Sequence, residues 1–164
     1  MKSIPFPLSI LLTLVLCFFN SFLMGAPGWT TETQECIDAA SIMSFADNLS
    51  HHGHYYRAIM EYERFIYFYP QHPDIPKARF NIAFSMKLAG DYTSALEIFT
   101  SLAKEYKGID SGIEASFQKA EVLCLMHGYQ SALTQYAEFL SHYPEHQLAG
   151  KAKRAIERIK KSGK

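Results

Sequence analysis

From residue 33 to residue 161 the apolar positions recur at three- and four-residue steps, and glycine or proline interrupts them at regular intervals. That spacing lines one face of an α-helix, so the pattern predicts seven helices in succession. The first is expected from about Thr33, which can cap it, to His51, with Ala39, Ile42, Met43, Ala46 and Leu49 inward and Gly53 as its stop. The second runs from about His54 to Tyr69 and ends before Pro70. Asp74 as cap and Pro76 in the first turn open the third, which stops at Gly90. The fourth spans Tyr92 to Tyr106, with Gly108 as its terminator. The fifth begins near Ser111 or Gly112 and closes at Gly128. The sixth runs from Tyr129 to Tyr143 and meets Pro144, and the seventh starts near Gln147.

These helices repeat. Tyr55, Tyr92 and Tyr129 are 37 residues apart, and so are Ala58, Ala95 and Ala132; Tyr69, Tyr106 and Tyr143; and Ala46, Ala83 and Ala120. A period of this length marks stacked helical hairpins, each too small to bury its apolar face without its neighbours. The two alanine series let the helices of a hairpin approach closely. The rings at Tyr55, Tyr92 and Tyr129 are expected to fill the wedge between one hairpin and the next. The expected architecture is all-α: a right-handed superhelix of about three hairpins, near residues 33–70, 74–107 and 111–144, closed by a capping helix over 147–161.

The front of the chain reads differently. Residues 4–24 are almost wholly apolar and follow Lys2, the signature of a secretory signal. The run is also long enough to cross a bilayer, which takes about 17–25 residues, so an uncleaved anchor is the rival reading. Gly25, Ala26 and Gly28 are small enough for a cleavage zone, and Pro27 favours a cut before Trp29 over one after Ala26. Cys17 lies mid-run behind the large Leu16, which argues against lipid attachment there. Residues 1–28 are therefore expected to be a signal peptide or amino-terminal membrane anchor, and residues 29–164 one repeat domain in the periplasm or cell envelope.

Charge changes the picture at one end only. Sixteen basic and sixteen acidic residues balance, which gives no global drive toward nucleic acid. Seven of the basic residues fall between Lys151 and Lys164 with Glu157 as the only acid, a composition that suits a solubilising terminal helix. Outside the leader only Cys36 and Cys124 remain, with no closely spaced pair for zinc or redox chemistry; one disulfide between them is the alternative in an oxidising compartment, but 88 residues apart in a stacked array they are expected as buried or half-buried thiols. His51, His52 and His54 straddle Gly53 and do not converge as metal ligands; a pH-sensitive contact is the other use for them. His72 and His146 are expected to serve turns. Glu61, Glu63, Glu97 and Glu138 lie on amphipathic helices without a facing catalytic partner, although Glu61 and Arg64 are spaced to pair across a turn. No nucleophile motif, phosphate loop or metal signature is present, so neither enzyme activity nor a cofactor is expected. The candidate partner-binding residues are the polar positions of the first helices, expected to line a concave face: Asp47 and Ser50; Arg79, Asn81, Ser85 and Lys87; Ser116, Gln118 and Lys119. Their polarity suits an extended peptide. Tyr56, Tyr67 and Phe68 add aromatic surface that would favour self-association instead.

The segments Gly53-His54-Tyr55-Tyr56-Arg57-Ala58 and Gly90-Asp91-Tyr92-Thr93-Ser94-Ala95 resemble the turn and second-helix start of the tetratricopeptide repeat family. The third copy has His127 at the glycine position and Gly128 one place later, which predicts a helix boundary shifted by a residue. Repeats of that family are ordinarily 34 residues long. The longer period, with second helices ending in Tyr69-Pro70 and Tyr143-Pro144, resembles a bacterial envelope subgroup of the BamD and YbgF (CpoB) type. The resemblance implies a tetratricopeptide-like superhelix acting as a non-enzymatic extracytoplasmic scaffold. It implies a protein or peptide partner from an outer-membrane assembly or Tol-Pal and cell-wall machine, with no nucleic acid. Membrane association would run through the amino-terminal segment.

Overall fold

The computed structural model describes residues 38–163; the leader, Thr33 and Cys36 lie outside them. Seven helices follow one another there: α1 Ala39–His51, α2 Tyr55–Phe68, α3 Ile75–Ala89, α4 Tyr92–Glu105, α5 Asp110–Leu125, α6 Tyr129–His142 and α7 Ala149–Lys161. No strand occurs among the described residues, so this part of the chain is all-α as its periodicity predicts. Each helix packs on the next, which makes hairpins of α1/α2, α3/α4 and α5/α6 and leaves α7 stacked on α6.

The helix ends repeat with the sequence. Where each first helix turns into its second, the N–H groups of His54, Asp91 and Gly128 donate to Leu49, Met86 and Leu123 O, each at 2.9 Å. One residue earlier Gly53, Gly90 and His127 donate to Ser50, Lys87 and Cys124 O. This paired closure needs a left-handed residue at its centre. Gly53 and Gly90 supply it with φ of 79° and 89°, and His127 supplies it with φ of 61°. The expected boundary shift therefore does not occur. α6 starts at Tyr129, in step with Tyr55 and Tyr92, because the histidine itself takes the left-handed conformation. Gly128 has an ordinary φ of −81°.

The second helices end one residue short of the periodic tyrosines. Tyr69, Tyr106 and Tyr143 cap them, each N–H still donating at 2.9 Å to Phe65, Leu102 or Phe139 O. Residues 72, 109 and 146 then form the next turn, accepting from Ile75, Gly112 and Ala149 N–H. Two of these residues are His72 and His146, two full periods apart. Their Nδ1 atoms accept from the Asp74 and Leu148 N–H groups, and their rings stand edge-on to Phe65 and Phe139.

Several boundaries differ from expectation. α1 opens at Ala39 because Asp38 caps it, accepting the Ser41 N–H at 2.6 Å; that bond holds the Asp38 carboxyl below its usual range. Asp74 sits before α3 as expected but makes no side-chain cap; its carboxylate lies 3.7 Å from His72. α4 ends at Glu105, before Gly108, and α7 opens at Ala149 rather than near Gln147. α5 opens early, at Asp110, where Gly112 lies against the Tyr106 backbone; a Cβ there would sit 2.0 Å from the Tyr106 carbonyl oxygen.

Both alanine series of the sequence analysis are fully buried, and so is a further one, Ala78, Ala115 and Ala152. Those three carry the contact to the preceding hairpin. The buried rings are not the periodic tyrosines at the starts of the second helices. Tyr55, Tyr92 and Tyr129 are half-buried, whereas Tyr62, Phe99 and Tyr136, one helix position set further on, are sealed in the core. The reason is geometric: a first-turn side chain leans back toward the turn that closes the hairpin, and one two turns later faces its middle.

Candidate functional site

A cleft of about 380 Å³ lies between α1 and α3, backed by α2. Asp47, Ser50 and His51 come from α1, Tyr55 and Tyr62 from α2, and Phe80, Asn81, Phe84 and Leu88 from α3. Its polar centre is Asp47. The carboxylate oxygen Oδ1 accepts the Tyr62 hydroxyl at 2.6 Å and Asn81 Nδ2–H at 3.1 Å. Burial, and then the facing Asp47 carboxylate, hold the Tyr62 phenol well above its usual range, so Tyr62 is a fixed donor. The walls are aromatic: Phe80 and Phe84 stack at 15° between planes, a turn apart on α3.

The next groove, between α3 and α5, is laced shut by the chain itself. Lys87 Nζ donates to Gln118 Oε1 at 2.5 Å and lies 3.3 Å from Glu121 Oε2. The same ammonium stands 4.5 Å from the Phe84 ring centroid. Gln118 is one full period after Asn81, so the two amides hold the same place in successive grooves.

The structure thus brings together Asp47 and Asn81 in one groove, and Lys87 and Gln118 in the other. Ser50 and Ser85 meet at 3.3 Å between α1 and α3, but Ser85 is fully buried and packs the helices rather than presenting a surface. Arg79 points elsewhere: it bonds Glu105 and Ser101 of α4 and lies over the Tyr106 ring. This pairing raises the Arg79 pKa and lowers that of Glu105. Arg79 and Asn81 are two residues apart on a helix and so face different ways. Ser116 and Lys119 are half-buried on α5.

His51 and His52 donate Nδ1–H to the carbonyls of Asp47 and Asn48, one turn back. Arg64 lies 3.0 Å from Glu61, the pair that their spacing predicts. Cys124 is a free, half-buried thiol whose pKa burial pushes up. Among the described residues no group of three metal-ligating side chains converges, and no helix is long and apolar enough to cross a membrane.

The sequence reading missed Tyr62, Phe80, Phe84, Leu88 and Glu121. One signal was present. Phe80, Phe84 and Leu88 recur at four-residue steps on α3, on a face other than the one carrying Ala78, Ile82 and Ser85.

Residues 77–108, the α3/α4 hairpin and its closing turn, match the family profile described as tetratricopeptide repeat. A search among curated proteins finds no match. Among solved structures, the chain resembles the nearly identical TPR-like repeats of a candidate kinesin light chain from Podosopora anserina, with TM-score 0.59 and 14% identity. A variant form of those repeats superposes with TM-score 0.60, also at 14% identity. Each match takes in 73% of this chain and 64% of the other, less than two thirds of that protein's length. Identity this low speaks to the fold alone. Period, closure geometry, profile and superposition agree: the described residues form a tetratricopeptide-like helical array, and residues 77–108 are the part that matches the repeat profile.

Proposed function

We propose that this chain is a non-enzymatic scaffold that binds a protein partner in the α1/α3 cleft. The observation that carries this is the cleft itself, where aromatic walls surround the fixed acceptors of Asp47 and Asn81. A groove with an apolar lining and a few held polar groups is built to recognise, and helical arrays of this kind commonly bind along such faces. The apolar leader supports a place outside the inner membrane, in the periplasm or cell envelope, with the leader either removed or kept as an anchor. The long period and the Tyr-Pro helix ends support a role in an envelope complex of the outer-membrane assembly or Tol-Pal and cell-wall coordination type.

The test is affinity purification of the full-length chain from crosslinked, detergent-solubilised envelopes of its native cell, with sequencing of its amino terminus. A stoichiometric envelope protein, and an amino terminus at Trp29 or an intact leader, are expected. Recovery of the chain alone, or with cytoplasmic proteins only, would contradict the proposal.

A second reading has its own observation. Tyr56, Met60 and Tyr67 lie at four- and seven-residue steps along α2 and are all exposed, Tyr67 at 79%, with Phe68 beside it. Such a stripe suits association between copies. Light scattering at rising concentration decides it: a strict monomer removes the reading.

A further inference from the structure

We infer that the α1/α3 cleft receives a cationic side chain, lysine or arginine, from an extended peptide; this rests on the scaffold reading and names the chemistry it recognises. The repeat provides the comparison. In the second groove a lysine of the chain's own, Lys87, is only 11% exposed and is held by three kinds of group: a ring (Phe84), an amide oxygen (Gln118) and a carboxylate (Glu121). One period earlier, Asn81 stands for Gln118, Phe84 for Glu121, and Asp47 for Phe84. The first groove therefore holds the same three kinds of group, with ring and carboxylate exchanged across it. At the place of Lys87 it has Ser50, whose hydroxyl faces Ser85.

The orientation of these groups selects for a donor. Both bonds to Asp47 fall on Oδ1, which leaves Oδ2 for another donor. Asn81 spends an N–H on Asp47, so its carbonyl oxygen remains as acceptor. The rings of Tyr55, Tyr62, Phe80 and Phe84 line the same cleft as these acceptors. Rings and a carboxylate together favour a cation and repel an anion. The cleft is open to take one, because a serine stands where the second groove carries its lysine.

The test uses the full-length labelled chain in a non-ionic detergent, with n-butylammonium as the probe and n-butanol and butyrate as controls. Butylammonium is expected to shift the Asn81 side-chain amide and Tyr62 ring signals saturably, and the controls are not. Asp47→Asn should weaken the effect at least tenfold. Ser50→Lys should abolish it by filling the cleft as Lys87 fills its own, while amide signals remote from the cleft stay unchanged and report an intact fold. Equal shifts with butanol, or undiminished binding by Asp47→Asn or Ser50→Lys, would overturn the inference. The two readings fail separately. An envelope partner retained equally by wild type and Ser50→Lys sinks the cation site and leaves a scaffold that binds outside this cleft. Butylammonium binding without any recovered partner sinks the scaffold and leaves the cation site.

Discussion

His127 and Gly90 occupy the same place in successive repeats, and both are left-handed, with φ of 61° and 89°. A side chain in that conformation costs roughly 1–2 kcal/mol, which glycine avoids. The next residue differs too: Asp91 accepts the Ser94 N–H at 3.2 Å, whereas Gly128 offers no cap to α6. The double change His127→Gly, Gly128→Asp copies the better repeat into the worse one. It should raise stability by about 1–2 kcal/mol, after the loss of the His127–Tyr129 hydrogen bond, measured as a higher denaturation midpoint. A lower midpoint would show that the His127 contact matters more than its strain.

Gly112 presents the opposite case. Its φ needs no glycine, yet a Cβ would lie 2.0 Å from the Tyr106 carbonyl oxygen and 2.6 Å from its carbon, and backbone cannot swing aside. Gly112→Ala should cost about 1–3 kcal/mol, the usual range for overpacking. The same change at Gly150, where the nearest atom is the far end of the Arg154 side chain at 3.5 Å, should be near neutral or stabilising in a helix. Urea denaturation of the two variants separates them, and equal effects would be inconsistent with the close approach.

Tyr62 and Tyr136 are equally buried at equivalent positions, but only Tyr62 donates to a carboxylate. A hydrogen bond to a charged group contributes about 1.5–3 kcal/mol, and a neutral one about 0.5–1.5. Tyr62→Phe should therefore be the more destabilising change, and combining it with Asp47→Ala should cost less than the sum. Additive effects in that cycle would mean that the two groups do not interact.

Stability should fall at both ends of the pH scale. Asp38 and Glu105 have folded-state pKa values held below their ordinary 3.8 and 4.5 by the Ser41 N–H and by Arg79. Their contribution is complete above those values and is lost as pH drops through the lower folded ones. Asp38→Asn with Glu105→Gln should flatten the acid limb, and an unchanged slope would contradict the assignment. Burial raises Tyr62 and Tyr136 in the folded chain. Their contribution is present below the unfolded value near about 10 and declines as pH rises past it. Absorbance at alkaline pH should accordingly show a phenolate component that appears only on unfolding and is lost in the Tyr62→Phe, Tyr136→Phe variant.

The helices and their stacking were legible because the 37-residue step acts on two alanine series, the periodic tyrosines and the turns at once. The cleft was legible only in part. Asp47, Ser50, Asn81, Lys87 and Gln118 stand out as polar residues on first helices. Which of them meet depends on α1 lying beside α3, some 34 residues away along the chain, as in the Asp47–Asn81 bond. Ser85 looked like surface because serine is polar, but it is fully buried and its hydroxyl meets that of Ser50. Arg79 looked like a groove residue because it neighbours Asn81 in sequence, but a helix turns such neighbours apart. Phe80 and Phe84 carry no polar group, so they do not stand out among the polar candidates of the first helices.

The central claim is that a partner lies in the α1/α3 cleft. Site-specific photocrosslinking in the native cell tests it directly, with benzoylphenylalanine at Leu88, an exposed cleft position, and at Tyr67 on the outer face of α2. The account predicts one discrete adduct with another protein from position 88 and none from position 67. Adducts of twice the chain's own mass from position 67, with nothing from position 88, would contradict it.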